Sequence, residues 1–169
     1  MKKHIYIIGT DHRYQNGSMD FTEDQHEGFR SALANIAEEY QIKLIAEENN
    51  TEALNENGIT QSVPQKVAAN VNTRHLFTEA DRGYRAKNGM KQENDIRASG
   101  FMNNLNDEEI RLRVEESYRN RENYWLKQII EADCWPVLFI CGANHAEEFS
   151  KLVLSKGFEC VVLFKDWCN

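Results

Sequence analysis

Two histidines in this chain lie three residues after a glycine that follows a short apolar run. His12 follows the run 5–8 in this way, and His145 follows the run 137–141. Glycine lets the backbone turn sharply or approach a ligand closely, and a neutral imidazole can bind a metal or transfer a proton. Because the loops at the carboxyl ends of parallel strands meet at one crevice, we expect His12 and His145 to share one site.

A carboxylate stands where a further predicted strand ends. Glu47 and Glu48 follow the mostly apolar run 42–46. We expect Glu47 to approach His12, whereas Glu48 is equally consistent with a solvated loop charge. Two imidazoles and a carboxylate are suitable ligands for zinc, manganese, iron or cobalt, with open positions for water. The set of His12, Glu47 and His145 therefore predicts either a divalent metal site or a metal-free acid-base site.

Arg121 is the fourth candidate catalytic residue. The segment 106–132 is predicted to be a helix, because a polar cap and acidic residues in the first turn precede its apolar face. Arg121 and Trp125 are four residues apart and therefore share one face of this helix. We expect the Arg121 guanidinium to face the crevice, where it can neutralise a substrate anion or orient Glu47.

Five further polar side chains are predicted to line the same pocket, namely Asp11, Arg13, Asn144, Asp81 and Arg82. Asp11 can serve as a further ligand or orient His12, since a ligating histidine commonly donates its other nitrogen to a carboxylate. Arginine grips phosphate or carboxylate in a planar, two-pronged contact. The alternative for Asp81 and Arg82 is a solvated surface with internal ion pairs.

The alternation of helices with short apolar strands predicts the fold. We expect an α/β fold with a mainly parallel sheet of about four strands, flanked by helices in three layers. Residues 1–169 are expected to form a single α/β domain. The polar segment 49–101 is expected to cover the functional site and to hold a short helix at 63–71. The predicted strands cover about 5–8, 42–46, 137–141 and 159–164.

Composition restricts the class of partner. The formal net charge of −7 over 169 residues argues against nucleic acid or an anionic membrane and leaves a small molecule as the expected ligand. No apolar stretch is long enough for a transmembrane span, and the run after Lys3 is too short for a signal peptide, so we expect a cytoplasmic protein. A homo-oligomer is left open, with Trp167 either at its interface or tucked against the chain.

The cysteines show no Cys-x-x-Cys spacing, which argues against a zinc knuckle or a redox pair. We expect them to be buried reduced thiols, with Cys141 and Cys160 acting as small core residues. The alternative for Cys141, which directly precedes the second Gly-x-x-His, is a catalytic thiol.

The order of these motifs resembles the superfamily that groups TraB/PrgY-like proteins, Tiki metalloproteases, erythromycin esterases and ChaN-like haem-binding proteins. The residues that carry the resemblance are the segment 9–12, Glu47, Arg121 to Asn123 with Trp125, and the segment 142–145. The GTDHRYQ start and the CGANH ending are also similar to a small bacterial family without an assigned function. The resemblance covers most of the chain in short motifs, but not its middle.

The superfamily resemblance implies that His12, Glu47, Arg121 and His145 occupy a shared pocket. It implies metal-assisted hydrolysis, as in the Tiki branch, or metal-free histidine and glutamate hydrolysis, as in the esterases. The chain is shorter than those enzymes and lacks their helical insertions, so their peptide and macrolide substrates are not carried over.

Three classes of function follow from these observations. The leading hypothesis is a small cytoplasmic hydrolase acting on a small substrate, and the alternative is a non-catalytic protein that binds a small ligand, a metal or haem. A nucleotide-binding module ranks last, because the chain lacks both Gly-x-Gly-x-x-Gly and the phosphate-loop lysine.

Overall fold

A five-stranded parallel sheet forms the centre of the fold. The computed structural model describes residues 3–168, and its strands are β1 (His4–Thr10), β2 (Leu44–Glu47), β3 (Arg74–Phe77), β4 (Val137–Gly142) and β5 (Glu159–Trp167). They lie in the order β3-β2-β4-β1-β5. Each pair of neighbours runs parallel. The predicted α/β class and parallel sheet are therefore confirmed.

β3 is the strand that the sequence did not predict, so the expected count of four is wrong by one. It has only four residues, lies at the edge of the sheet, and pairs with β2 from Leu44 opposite Arg74 to Glu47 opposite Phe77. A short strand that begins with two polar residues leaves no apolar run in the sequence. It forms because β2 is fully buried and its outer edge needs a hydrogen-bonding partner.

Helices connect the strands. Over residues 3–168 they are α1 (His12–Asn16), α2 (Glu23–Glu39), α3 (Thr51–Glu56), α4 (Val63–Asn70), α5 (Arg82–Lys87), α6 (Glu93–Met102), α7 (Asp107–Ala132) and α8 (Ala146–Ser155). α7 confirms the predicted long helix. Its cap is Asn106, whose side chain accepts the Glu109 N–H at 2.9 Å while the Glu109 carboxylate accepts the Asn106 N–H at 2.9 Å.

The helices cover both faces of the sheet and so make three layers. α7 and α8 cover one face, where Trp125 and Phe149 pack against Phe139 of β4. α2 and α4 cover the other face, where Phe29 and Val67 belong to a second buried cluster. Because side chains alternate between the faces along each strand, the central strands contribute to both clusters.

The segment 49–101 is more regular than the sequence predicted. It contains α3, α4, β3, α5 and all but the last residue of α6, and α4 confirms the short helix expected at 63–71. Its short helices begin at polar caps, since the side chains of Asn50, Ser62 and Asp81 accept backbone N–H groups of α3, α4 and α5. Local capping thus fixes the start of three of these helices, and α4 also packs apolar side chains into the core.

Two further expectations concern the surface of the molecule. Among residues 3–168, no helix combines the length and apolar composition needed to cross a bilayer. The Trp167 ring lies 4.8 Å from the Phe164 ring and 6.0 Å from the Phe29 ring of α2, measured between centroids. Trp167 thus packs against α2 and against its own strand.

Candidate active site

Both histidines of the Gly-x-x-His sequences lie at one buried carboxylate. His12 opens α1 directly after β1, and His145 ends the short 3-10 turn that follows β4. His12 Nε2 lies 3.6 Å from Glu48 Oε1, and His145 Nε2 lies 4.0 Å from the same oxygen. Because β1 and β4 are parallel neighbours, their carboxyl ends deliver the two imidazoles to one place.

Glu48, and not Glu47, is the carboxylate that meets the histidines, which corrects the expectation for Glu47. Ile45 packs in the core beneath α2 and α4, whereas Ala46 packs in the core beneath α7 and α8. The same alternation turns Glu47 toward α4 and Glu48 toward α7. The contacts of Glu47 are accordingly with Gln15, Ser62 and His75.

Glu48 is an ionised carboxylate in a buried position. Its Oε1 lies 2.5 Å from Arg121 Nη2, and its Oε2 accepts the Gly142 N–H at 2.7 Å. Burial by itself would raise the pKa of Glu48. The charges of His12, Arg121 and His145, together with the Gly142 N–H, outweigh burial and lower that pKa below its ordinary value of 4.5. Glu48 therefore carries a negative charge at neutral pH.

His145 is backed by a second buried carboxylate. Its Nδ1 lies 2.8 Å from Glu122 Oε1, and both side chains are almost fully buried. The other oxygen, Glu122 Oε2, lies 2.9 Å from Arg119 Nη1 and forms an ion pair with it. The geometry of this contact is not that of a hydrogen bond. An ionised carboxylate can only accept, so the Nδ1 atom of His145 donates and its Nε2 atom is free to exchange a proton on the side of Glu48.

His12 has a similar arrangement in a more open position. Its side chain is 50% exposed, against 5% for His145. Its Nδ1 lies 2.8 Å from the side-chain oxygen of Gln15, which is fully buried. The two imidazoles therefore differ in access to solvent, although both turn Nε2 toward Glu48.

Arg121 joins two buried carboxylates. Besides Glu48, it contacts Glu79, whose Oε2 lies 2.9 Å from Arg121 Nη2 and also accepts the Trp125 Nε1–H at 2.8 Å. Burial alone would lower the pKa of Arg121, but Glu48 and Glu79 raise it above its ordinary value. Arg121 was predicted to contact Glu47, but it contacts Glu48 and Glu79 in its place. The positive charge of Arg121 compensates the negative charges of these two carboxylates.

Two clefts flank this group of side chains. The first cleft has a volume of about 630 Å³ and lies mainly between α3, α5 and α6, and the second has about 570 Å³ and lies beside the turn after β4. His12, Glu48 and Arg121 line both clefts, whereas His145 and Asn144 line the second one only. A ligand in either cleft can therefore reach His12, and a ligand in the second cleft can reach both histidines.

The glycine of the second Gly-x-x-His sequence is closely packed against the site. A Cβ atom on Gly142 would lie 3.0 Å from His12 Nε2 and 3.4 Å from Glu48 Oε2. Gly9 has a different constraint, because a Cβ there would lie 2.0 Å from the Lys165 carbonyl oxygen of β5. Both glycines thus permit close approach.

Asp11 and Arg13 form a local pair at the start of α1. The Asp11 side chain caps α1 by accepting the Arg13 N–H at 2.8 Å, and Arg13 Nη2 lies 2.8 Å from Asp11 Oδ2. Arg13 also lies 3.4 Å from Asp20. Asp11 and Asn144 line the second cleft, but Arg13 lines neither cleft. The predicted pocket position is therefore observed for Asp11 and Asn144 and not for Arg13.

Asp81 and Arg82 differ in their position relative to the two clefts. Asp81 caps α5 by accepting the Tyr84 N–H at 2.7 Å and lines neither cleft. Arg82 lies at the rim of the first cleft, where its guanidinium is 2.6 Å from Glu56. The predicted pocket position is therefore observed for Arg82, which also forms an ion pair, and not for Asp81.

Cys141 is a core residue. It is fully buried in the cluster beneath α7 and α8. Burial raises the pKa of its thiol well above the ordinary value, so the nucleophilic thiolate is disfavoured. Cys160 is half-buried, and burial raises the pKa of its thiol to about 11. The exposed position of Cys168 departs from the expectation of burial.

Three partners of the predicted residues were not themselves predicted as site residues: Gln15, Glu79 and Glu122. A signal existed for Glu122, because it shares a helix face with Tyr118 four residues before it and with Trp125 three residues after it. Gln15 lies one helical turn after His12, which is the spacing of a side-chain pair. Glu79 belongs to a segment rich in ionisable residues, but it follows β3, which was not predicted, so its contacts could not be predicted.

The donor set does not fit the divalent metal that the sequence suggested. Within residues 3–168, no three His, Cys, Asp or Glu side chains are arranged to hold a metal ion. The predicted ligands His12, Glu47 and His145 are not gathered, because Glu47 faces α4. Glu48 is closer to both histidines, but Arg121 lies 2.5 Å from the oxygen that they share, and its positive charge opposes a bound cation there.

Comparisons of the chain with protein-family models, with curated proteins and with solved structures found no match.

Proposed function

We propose that the protein is a small hydrolase in which His12 and His145 transfer protons without a metal. The observation that carries this proposal is the shared orientation of the two imidazoles toward Glu48. Each imidazole is fixed at Nδ1, by Gln15 in one case and by Glu122 in the other. Histidines fixed in this way, beside a cleft, are suited to general acid-base catalysis.

His145 is the general base in this proposal. Its Nε2 removes a proton from water as the water oxygen attacks the carbonyl carbon of an ester or amide in the second cleft. The buried Glu122 carboxylate stabilises the imidazolium that forms, as the triad aspartate does in serine proteases. In this proposal Asn144, which lines the same cleft, donates its side-chain N–H to the carbonyl oxygen.

His12 is the general acid. Its side chain lines the second cleft and is half exposed, whereas that of His145 is almost fully buried. As the tetrahedral intermediate collapses and the carbon–oxygen or carbon–nitrogen bond breaks, His12 Nε2–H protonates the leaving atom. Its half-exposed position lets it regain a proton from solvent, and the proton on His145 returns to solvent.

The charge of the clefts points to the class of substrate. Eight carboxyl groups and three guanidinium groups line the two clefts: Asp11, Glu48, Glu52, Glu56, Glu79, Glu93, Asp95 and Asp166, with Arg82, Arg85 and Arg121. Each of these arginines contacts a glutamate. A cleft with excess negative charge attracts cations and repels anions. The substrate is therefore a small polar ester or amide that is neutral or positively charged.

Two further observations support this proposal. The resemblance of the Gly-x-x-His segments to the esterase branch of the superfamily agrees with metal-free hydrolysis. All four cysteines are free, which agrees with the reducing environment of a cytoplasmic protein.

A hydrolysis assay tests the proposal. The protein is incubated with 4-nitrophenyl esters and 4-nitroanilides of small acyl groups, and release of the chromophore is followed beside His145→Gln, whose folding is checked by circular dichroism. We expect turnover by the wild type and its loss in the folded variant. Chromophore release that stays at the buffer rate for the whole set, or that survives in His145→Gln, contradicts the proposed function.

A further inference from the structure

A second buried group of polar side chains lies behind His12, on the opposite side from Glu48. Glu47 is its centre, and neither Glu47 nor Gln15 has any exposed surface. Glu47 Oε2 accepts the side-chain N–H of Gln15 at 3.2 Å, and Gln15 Oε1 lies 2.8 Å from His12 Nδ1. A continuous path of hydrogen bonds thus leads from Glu47 through Gln15 to the imidazole.

Two further side chains, on the side away from His12, hold Glu47 in place. Its Oε1 accepts the Ser62 hydroxyl and lies 2.8 Å from His75 Nε2. Ser62 is the cap of α4, and His75 belongs to β3. Together with Gln15 of α1, these contacts mean that three elements fix the position of the Glu47 carboxylate.

The chemistry of these groups sets the donor and the acceptor in the hydrogen bonds that join Glu47, Gln15 and His12. An ionised carboxylate only accepts, an amide nitrogen only donates, and an amide oxygen only accepts. Because the amide nitrogen of Gln15 donates to Glu47, the amide oxygen of Gln15 must face His12. The reverse amide orientation would place two acceptors, the Gln15 and Glu47 oxygens, against each other. His12 Nδ1 must then carry a proton in the neutral as well as in the charged ring.

We propose that Gln15 is a positioning residue that holds neutral His12 in the Nδ1–H tautomer, with Glu47 fixing the orientation of Gln15. Which ring nitrogen carries the proton is set by the hydrogen bond that the other nitrogen makes. The exchangeable proton of His12 is thereby confined to Nε2, the atom that faces Glu48 and both clefts. The effect on turnover rests on the proposed function, but the tautomer itself does not.

Removing the acceptor should release this constraint. In Gln15→Leu the side chain keeps its size but offers no oxygen to Nδ1, and the site is buried, so water does not readily replace the amide. Neutral His12 then reverts toward the Nε2–H tautomer, which solvent-exposed histidines favour. In Glu47→Gln the carboxylate is replaced by an amide that accepts through one atom only, and the direction of Gln15 is no longer enforced.

Long-range proton–nitrogen NMR spectra of the imidazoles, recorded on the full chain at mildly alkaline pH, test the proposal. The wild type should show a protonated Nδ1 and an unprotonated Nε2 for His12, assigned by its loss in His12→Ala. Gln15→Leu should show the opposite pattern, whereas the same substitution at a distant site, Gln128→Leu, should leave His12 unchanged. The backbone amide spectrum reports whether each variant is folded.

Two results overturn the proposal: an Nε2–H tautomer of His12 in the wild type, or an unchanged Nδ1–H tautomer in folded Gln15→Leu. If Gln15→Leu does not fold, Glu47→Gln and the wild-type tautomer decide in its place. In the ester assay we expect Gln15→Leu to lower kcat by about 10- to 100-fold with little change in KM. If the tautomer shifts as expected but the protein hydrolyses no ester, the positioning role is supported and only the proposed hydrolase is contradicted.

Discussion

Glu122 Oε1 lies 2.8 Å from Nδ1 of His145, and both side chains are buried at the second cleft. This pairing holds the imidazole in one orientation, with Nδ1 as the donor. It is the part of the site that most resembles a catalytic base, because the acceptor at Nδ1 is a carboxylate and not an amide.

Glu122→Gln should therefore impair turnover more than it impairs folding. The amide can present its N–H groups to Nδ1 and favour the wrong tautomer, and it cannot stabilise an imidazolium. We predict that kcat for a 4-nitrophenyl ester falls by about 100-fold or more. The matched control is Glu116→Gln, an exposed position of the same helix, which should keep the wild-type kcat. Equal rates in the two variants would remove Glu122 from the mechanism.

Glu48 should make the stability of the protein dependent on acid pH. Its pKa is lower in the folded chain than its ordinary value of 4.5, so its ionisation stabilises the fold above that pH. This stabilisation is lost as the pH falls from about 4.5 through the lowered pKa. The glutamine variant does not titrate and should lose this contribution.

Urea unfolding of Glu48→Gln across this pH range measures the effect. Near neutral pH the substitution removes one partner of a buried ion pair with Arg121, and we predict a loss of about 3 kcal/mol in the free energy of unfolding. The difference from the wild type should shrink as the pH falls. Glu56→Gln removes a surface pair with Arg82 and should change stability by less than about 1 kcal/mol. A difference for Glu48→Gln that is constant with pH would contradict the assigned charge.

Activity should not depend on a divalent metal. The charge of Arg121 beside Glu48 and the separation of Glu47 from the histidines disfavour a bound cation. We predict that prolonged dialysis against a chelator leaves both kcat and Tm unchanged, and that added zinc, manganese, cobalt or iron does not raise kcat. Loss of activity on chelation that is restored by one of these metals would show that the site rearranges to bind it.

The charge of the substrate should matter as well. Among esters of matched size, we predict that kcat/KM is at least about tenfold higher for an acyl group with an ammonium than for one with a carboxylate at low ionic strength. Added salt should reduce this ratio, since it screens charges at the exposed cleft rim. A preference for the anionic ester would contradict the role given to the excess carboxylates.

Much of the fold could be predicted from the sequence, because the central strands are buried on both faces and leave continuous apolar runs. The segments 5–8 and 137–141 show this pattern, and so both histidines could be placed at neighbouring strand ends. β3 could not be predicted, because it is short and polar and depends on β2 for its place in the sheet. The sequence also could not show which of Glu47 and Glu48 faces the histidines.

Glu47 and Glu48 are adjacent and chemically identical, and only the face of the sheet that each one reaches distinguishes them. That face is fixed by the packing of Ile45 and Ala46 against different helices. The sequence has no local signal for which helices cover which face, so the choice between the two carboxylates required the three-dimensional structure. The partner Glu79 was missed for the same kind of reason, since its contacts with Arg121 and Trp125 join distant parts of the chain.

The kcat/KM of His12→Ala for a hydrolysed ester tests the central claim most directly. The side chain is half exposed, so its removal should leave the fold intact, and the matched control is His4→Ala at the opposite end of β1. If the two imidazoles act as a proton-transferring pair, kcat/KM falls by about 100-fold or more in His12→Ala and stays at the wild-type value in His4→Ala. A folded His12→Ala protein that keeps the wild-type kcat/KM would contradict the account.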